Sequence, residues 1–252
     1  MLTERRRRIL QAVVDRYVST AAPVGSKVLV EHYGFGVSPA TVRSELSALE
    51  LARLLWQPHT SAGRLPTDSG YRSVVDEYLA HPDLLGAGPL YPEPDLRARL
   101  TLDATNVDEL VHRVCGALAT YTDALAISTI PSTRTGGMVR VCYKGLAGLL
   151  AQPEFAAAER AVSLIRLLDD EARVATLLSE RYVGGEVTVH IGGENHYAGF
   201  DDMSVVVSPW RNAADGGRSG VIAVVGPTRM QYRRAIPAVA TAAWTLTDAL
   251  RN

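Results

Sequence analysis

The chain holds two cysteines, Cys115 and Cys142, among 252 residues. Two thiols in apolar surroundings are too few for a disulfide framework, which points to a reducing compartment, the cytoplasm. Cys115, on an apolar helix face with no base partner in its local sequence, reads as core. No run approaches the ~20 consecutive apolar residues of a bilayer span. Nor does an apolar signal-peptide segment follow the basic start, because Asp15 and Arg16 interrupt it. Internal repeats and low-complexity tracts are missing. So are the nucleophile-elbow, Walker and dinucleotide-binding glycine patterns, and no convergent set of titratable residues supports catalysis. Neither an enzyme nor a bound cofactor is expected. His190, Glu194 and His196, with Asp201 nearby, match no zinc spacing and read as strand-to-turn structure.

What remains is a globular composition, 47% hydrophobic and 21% charged, long enough for two domains. The net charge of −1 demands no anionic partner. Its distribution says more. Residues 1–30 carry Arg5, Arg6, Arg7, Arg8, Arg16 and Lys27 against Glu4 and Asp15. A locally basic segment on a neutral protein fits a nucleic-acid-facing module, but on charge alone it fits a plain solvated helix face somewhat better.

Residues 1–80 read as three helices and a hairpin. Thr3 caps a helix whose apolar stripe is Ile9, Leu10, Val13, Val14, Tyr17 and Val18. "TAAPVG" ends it. Ser26 caps a second helix with Val28, Leu29 and Tyr33 inward, and "GFG" at 34–36 is a tight turn. Ser38 caps the third helix, with Pro39 at the position where a missing N–H costs nothing. "LLWQ" and "RLP" are short strands around the loop "PHTSAG", and Thr67 caps a helix through Tyr71, Val74, Val75 and Tyr78. Together these make a winged helix-turn-helix domain. Residues 81–95, rich in proline and glycine, form a linker. Beyond it, Thr105 and Asp108 offer a capping box for a helix through Leu110, Val111, Val114, Leu118 and Tyr121. Strands are expected at 124–130, 138–143, 186–191, 203–208 and 220–226. Helices are expected at 154–168, 171–181 and 229–250, the last entered through Thr228 as an N-cap. Residues 96–252 are thus an α+β domain with a mainly antiparallel sheet.

The third helix carries the functional expectation. With Val42, Leu46 and Leu49 facing the core, the opposite face holds Ala40, Thr41, Ser44 and Ser47, with Arg43 at its margin. Ser38 stands at the entry to the same face. A major groove about 12 Å wide admits a helix only when its outer face is not bulky. Short residues let the helix in, and Arg43 can make a bidentate contact to guanine. In the loop, His59, Thr60, Ser61, Gly63 and Arg64 supply hydroxyls, pliant backbone and a cation for phosphate or minor groove.

"PVGSKVLVEHYGFGVSPATVRSELSALE" followed by "QPHTSAGRLPTDSGYR" closely resembles the N-terminal domain of the heat-inducible transcription repressor family HrcA. "YKGLAGLLAQPEF" (143–155), "IGGEN" (191–195) and "GPTRM" (226–230) resemble its C-terminal GAF-like domain. The resemblance implies a bacterial repressor of heat-shock chaperone operons. It implies binding to an inverted-repeat operator of the CIRCE type, a homodimer, and control by the chaperonin GroEL. Two departures stand out. The family usually has glycine where Arg53 stands, just past the third helix. Between Ile130 and Val139 this chain has only "PSTRTGG", where the family carries further strands and an inserted dimerisation domain. The GAF-like domain is therefore expected to be reduced. Two other functions fit the same chain: a ligand sensor in the C-terminal half, or a degenerate paralogue that binds DNA without chaperonin control.

Overall fold

Thr3 opens the first helix, its hydroxyl accepting from Arg6 N at 3.4 Å. The computed structural model describes residues 2–85, 94–100, 106–131, 139–181, 187–196, 201–212 and 218–251. Contacts divide these into two compact units, 1–81 with 228–231, and 82–227 with 232–252.

In the first unit, α1 (Glu4–Thr20) buries Ile9, Leu10, Val13 and Val14 and ends on left-handed Ala21. α2 (Ser26–Tyr33) begins one residue earlier than its serine suggests. Gly25 occupies the cap position with no side-chain bond, and Ser26 is the first helical residue, itself buried. Of the three side chains expected inward on α2, Leu29 is fully buried, while Val28 and Tyr33 are half-buried. α3 (Pro39–Leu51) starts at Ser38, whose Oγ accepts from Thr41 N at 3.2 Å, and it buries Val42, Leu46 and Leu49. The hairpin is minimal: β1 (Leu55–Trp56) pairs antiparallel with β2 (Leu65–Pro66). α4 (Asp68–Ala80) follows, capped by Thr67 and burying Tyr71, Val74, Val75 and Tyr78.

The end of α3 is closed by two reverse bonds. Leu54 N donates to Leu49 O at 3.0 Å, and Arg53 N to Glu50 O at 2.8 Å. This is the Schellman pairing, which requires a left-handed residue at Arg53. Arg53 has φ +59°, so the backbone keeps the conformation that glycine would accept without cost. Thr67 locks the turn, donating from Oγ1 to Arg53 O at 2.7 Å and from N to Leu54 O at 3.1 Å. Gly70 lets the chain come this close, since a Cβ there would lie 2.1 Å from Leu54 O.

In the second unit, a five-stranded antiparallel sheet runs in the order β4-β3-β7-β6-β5. Its strands are β3 (Leu125–Pro131), β4 (Val139–Lys144), β5 (Thr188–Ile191), β6 (Met203–Asn212) and β7 (Arg218–Pro227). β6 and β7 run several residues longer than their β-branched cores suggest, because they pair with each other along their whole length. Alternate residues serve two faces. Leu125, Ile127, Val205, Val207, Val221 and Val225 meet Leu149, Phe155, Leu164, Leu168, Val174 and Leu178. Those partners lie on α7 (Leu146–Leu150), a 3₁₀ turn at 153–155, α8 (Ala158–Leu168) and α9 (Glu171–Arg181). The helix expected from 154 therefore starts at Ala158, and α7 is an added element.

On the other face lie α6 (Val107–Thr122) and α10 (Tyr232–Ala249). Buried Trp210 donates from its indole to Ser128 Oγ at 3.1 Å, and that hydroxyl donates to Val221 O at 3.0 Å. Arg234 stacks over Tyr121, 4.3 Å from the ring centre, joining the two helices. α5 (Pro94–Arg99) is tied to α10 by Arg97 over Trp244 at 4.8 Å. Asn106, not Thr105, caps α6, its Oδ1 accepting from Glu109 N at 2.9 Å. α10 begins at Tyr232, so Thr228 sits in the preceding turn and is not its N-cap. Thr105, the segment 132–138 and most of the 81–95 stretch lie outside the described residues, although 82–85 form a 3₁₀ turn.

Arg53→Gly is expected to raise stability by about 1 kcal/mol, because it removes the left-handed penalty and keeps both reverse bonds. The urea midpoint of the purified chain measures it. An unchanged or lower midpoint would show that Arg53 carries no strain.

Candidate nucleic-acid interface

α3 presents the outer face that its spacing predicts. Ala40, Arg43, Ser44 and Ser47 are exposed, and Thr41 is half-buried. Two of the hydroxyls are partly committed to backbone. Ser38 Oγ caps the helix and also meets Thr41 Oγ1 at 3.0 Å. Ser47 Oγ donates back to Arg43 O at 3.1 Å, which shortens its reach. Apart from Arg43, no long side chain interrupts the exposed strip from Ala40 to Ser47.

The loop between β1 and β2 is pinned more tightly than its composition suggests. Gln57 Nε2 donates to Thr60 O at 3.0 Å and to Ala62 O at 2.8 Å. Ala62 N closes a turn onto His59 O at 2.8 Å, and the His59 ring meets Ser61 Oγ at 2.9 Å. At its base the loop is sewn to the α1–α2 connection. Val24 N and O exchange bonds with Arg64 O and N, both at 2.9 Å. Gly63 is required by that approach rather than for mobility: a Cβ there would lie 2.5 Å from the Val24 backbone. His59, Thr60 and Ser61 are exposed at the tip.

The cations divide into two kinds. Arg64 turns inward, 13% exposed, with Nη2 2.8 Å from Glu50. Arg6 pairs with Glu45 at 2.7 Å, and Arg5 lies 3.8 Å from the same carboxylate. Arg7 pairs with Glu4 at 2.6 Å and approaches Glu77 at 3.8 Å. Arg8 lies over the Phe35 ring at 5.9 Å. The basic start is thus largely neutralised within the unit, and part of it joins α1 to α3 and α4. Arg43 is different: among the described residues no carboxylate pairs with it. Sequence spacing could not separate these two kinds, because Glu45, Glu50 and Glu77 reach their partners only through tertiary packing.

The remaining candidate cluster serves local structure. Glu194 Oε2 accepts from Ile191 N at 2.9 Å, and Asn195 Nδ2 donates to Met203 O at 2.7 Å. His196 ends that turn in a left-handed conformation, φ +48°.

The charge division sets a stability contrast. Arg64→Ala leaves Glu50 without its partner and the loop base less tied, at a cost on the order of 1–2 kcal/mol. Arg43→Ala should change stability by no more than about 0.5 kcal/mol. Urea unfolding of both variants measures the difference, and equal costs would mean that Arg64 is not committed to the fold.

The family model described as the HrcA protein C terminal domain matches residues 95–236. A heat-inducible transcription repressor HrcA from Synechococcus sp. (strain RCC307) is 30% identical over 334 aligned positions, covering 99% of each chain. One from Thermosynechococcus vestitus is 30% identical over 345 positions, covering 98% of this chain and 97% of its own. Those alignments are longer than the 252 residues here, so the relatives carry residues that this chain lacks. A crystal structure of a hypothetical protein at 2.2 Å resolution shares the fold, with a TM-score of 0.84 at 18% identity, covering 100% of this chain and 99% of that one. The chain belongs to the HrcA family, whose named members are heat-inducible transcription repressors.

Proposed function

We propose that the chain is a non-enzymatic bacterial repressor of heat-shock chaperone operons, acting in the cytoplasm at an inverted-repeat operator of the CIRCE type. The observation that carries this reading is the exposed strip of α3 from Ala40 to Ser47, short-sided apart from Arg43, which no carboxylate pairs with among the described residues. Residues 1–81 act as a winged helix-turn-helix module. Ala40, Thr41, Ser44 and Ser47 enter the major groove, Ser38 meets backbone phosphate at the helix entry, and Arg43 reads a base edge. His59, Thr60 and Ser61 at the wing tip contact phosphate or minor groove, with Gly63 and Arg64 setting the wing's position. The second unit is a GAF-like regulatory domain that couples the repressor to the chaperonin GroEL.

Operator symmetry mirrors protein symmetry, so an inverted repeat calls for a homodimer. One module offers few base contacts, and joining two raises affinity through effective concentration. The relatives' extra residues include the dimerisation domain on this reading, so the dimer here is weaker and is promoted by DNA.

Arg43→Ala should cost ~1–3 kcal/mol of operator affinity and relax selectivity at one base pair. Shift assays on wild-type and singly substituted operators measure both. Unchanged affinity with unchanged selectivity would take Arg43 off the bases.

Assembly is tested separately, by sedimentation over a concentration series with and without operator. The expected result is a monomer–dimer equilibrium drawn to the dimer by DNA. A chain that saturates the whole operator one copy per site would overturn the two-fold reading. Adding chaperonin to the purified chain should raise its operator-binding activity, and full activity without any association would overturn that coupling.

A further inference from the structure

Leu51, the last residue of α3, is 86% exposed, whereas Val42, Leu46 and Leu49 of the same helix are buried. Its apolar surface stays in water, so it gains little on folding. A single exposed leucine is ordinary on a protein surface, and its place is what distinguishes this one. At about 100° per residue, Ala40, Ser44 and Ser47 project within about 40° of Leu51, and Val42 projects directly opposite. The strip that faces away from the core therefore begins with short side chains and ends in a leucine. The charges around it favour a polyanion over a protein surface. Glu45 and Glu50, the two carboxylates of α3, are held by Arg6 and Arg64 at 2.7 and 2.8 Å. Arg43 and Arg53, on either side of Leu51 in the chain, are exposed, and among the described residues no carboxylate pairs with either. An apolar group between two uncompensated cations is complementary to a duplex, whose groove carries methyl groups between rows of phosphate.

We propose that Leu51 is a specificity-determining residue that packs on the C5-methyl of a thymine in the major groove; this rests on the reading of α3 as the recognition helix. A leucine has no donor or acceptor, so it cannot hold a phosphate or a hydrogen-bonding base edge. Set against such an edge, it would strip water from a polar atom and return no bond. The apolar group that a base pair offers in the major groove is the thymine methyl. Leu51 thus selects thymine against cytosine, which lacks the methyl and presents an amino group instead. Its distance from Arg43 fixes where that thymine lies. Eight residues separate the two. At about 1.5 Å each they set Leu51 about 12 Å farther along the helix, roughly three to four base-pair steps when α3 lies along the groove. Arg43 and Leu51 therefore read two separate positions of one half-site, a guanine and a thymine.

The test uses the full chain and duplexes that it selects from a random-sequence pool. Selections are run in parallel with Arg43→Ala and Leu51→Ala; the second trims an exposed site and keeps a helix former, so the fold is retained. The wild-type chain should enrich a guanine and, three to four base pairs away, a thymine. Arg43→Ala should lose the guanine and Leu51→Ala the thymine. On the selected duplex, deoxyuridine in place of that thymine removes the methyl alone and should weaken wild-type binding about fourfold, the value of one buried methyl group. Leu51→Ala should bind the two duplexes equally. A chain that enriches no sequence overturns the reading of α3, and this proposal with it. A guanine that depends on Arg43, without a thymine that depends on Leu51, overturns this proposal alone. So does a Leu51→Ala that keeps the deoxyuridine sensitivity but sediments less as a dimer, which would set the side chain against a second copy.

Discussion

The turn at Arg53 and Leu54 is the constraint on which the first unit depends. α3 must stop there, reverse, and deliver the chain into β1 at once. Thr67 makes this possible from fourteen residues downstream. Its hydroxyl donates to Arg53 O and accepts from Gly70 N, while its own N–H donates to Leu54 O. One side chain therefore closes the end of α3, starts α4 and sets the hairpin between them. The outer face of α3 is aimed by this knot together with the Arg6–Glu45 and Arg64–Glu50 pairs that brace the helix. A left-handed arginine is tolerated because four hydrogen bonds hold the turn around it. Backbone strain of this kind persists only where the surroundings over-determine it.

Much of this was legible locally. Ser38–Pro39 and Thr67 marked helix starts because cap chemistry acts over three residues, and the stripes of α1, α4 and α6 followed from a 3.6-residue period. The misplacements share a cause. Ser26 looked like a cap, but the backbone at Gly25 takes the extended conformation, and burial claims Ser26. Asn106 displaced Thr105 at α6 because either residue could cap a helix starting there. The start of α8 was drawn too early, since Pro153 and Phe155 make a 3₁₀ turn whose apolar residue joins the same core.

The charges were the least legible part of the site, and their pairing is what separates fold from function. Glu45, Glu50 and Glu77 lie on α3 and α4, and nothing in local spacing says which arginine each will hold. Packing decides, and it leaves Arg5, Arg6, Arg7 and Arg64 beside carboxylates. A cation already paired in this way must break or share its bond before it can hold a phosphate, so its net gain on DNA is smaller. The basic count of the first thirty residues therefore overstates the charge available to a ligand.

In the second unit the same principle acts through apolar surface. A sheet buried on both faces leaves little freedom to its central strands, so β3, β6 and β7 read as near-continuous apolar runs. Some of the polar side chains that enter are bonded to one another: Trp210 to Ser128, and Ser204 to Tyr232 at 2.6 Å. The edge strand β4 mixes burial with exposure, its pattern broken by Arg140, Tyr143 and Lys144. Charged residues at an edge discourage pairing with another chain. That protection is needed at β4 because it lies at the end of the strand order, with no neighbouring strand on its outer side.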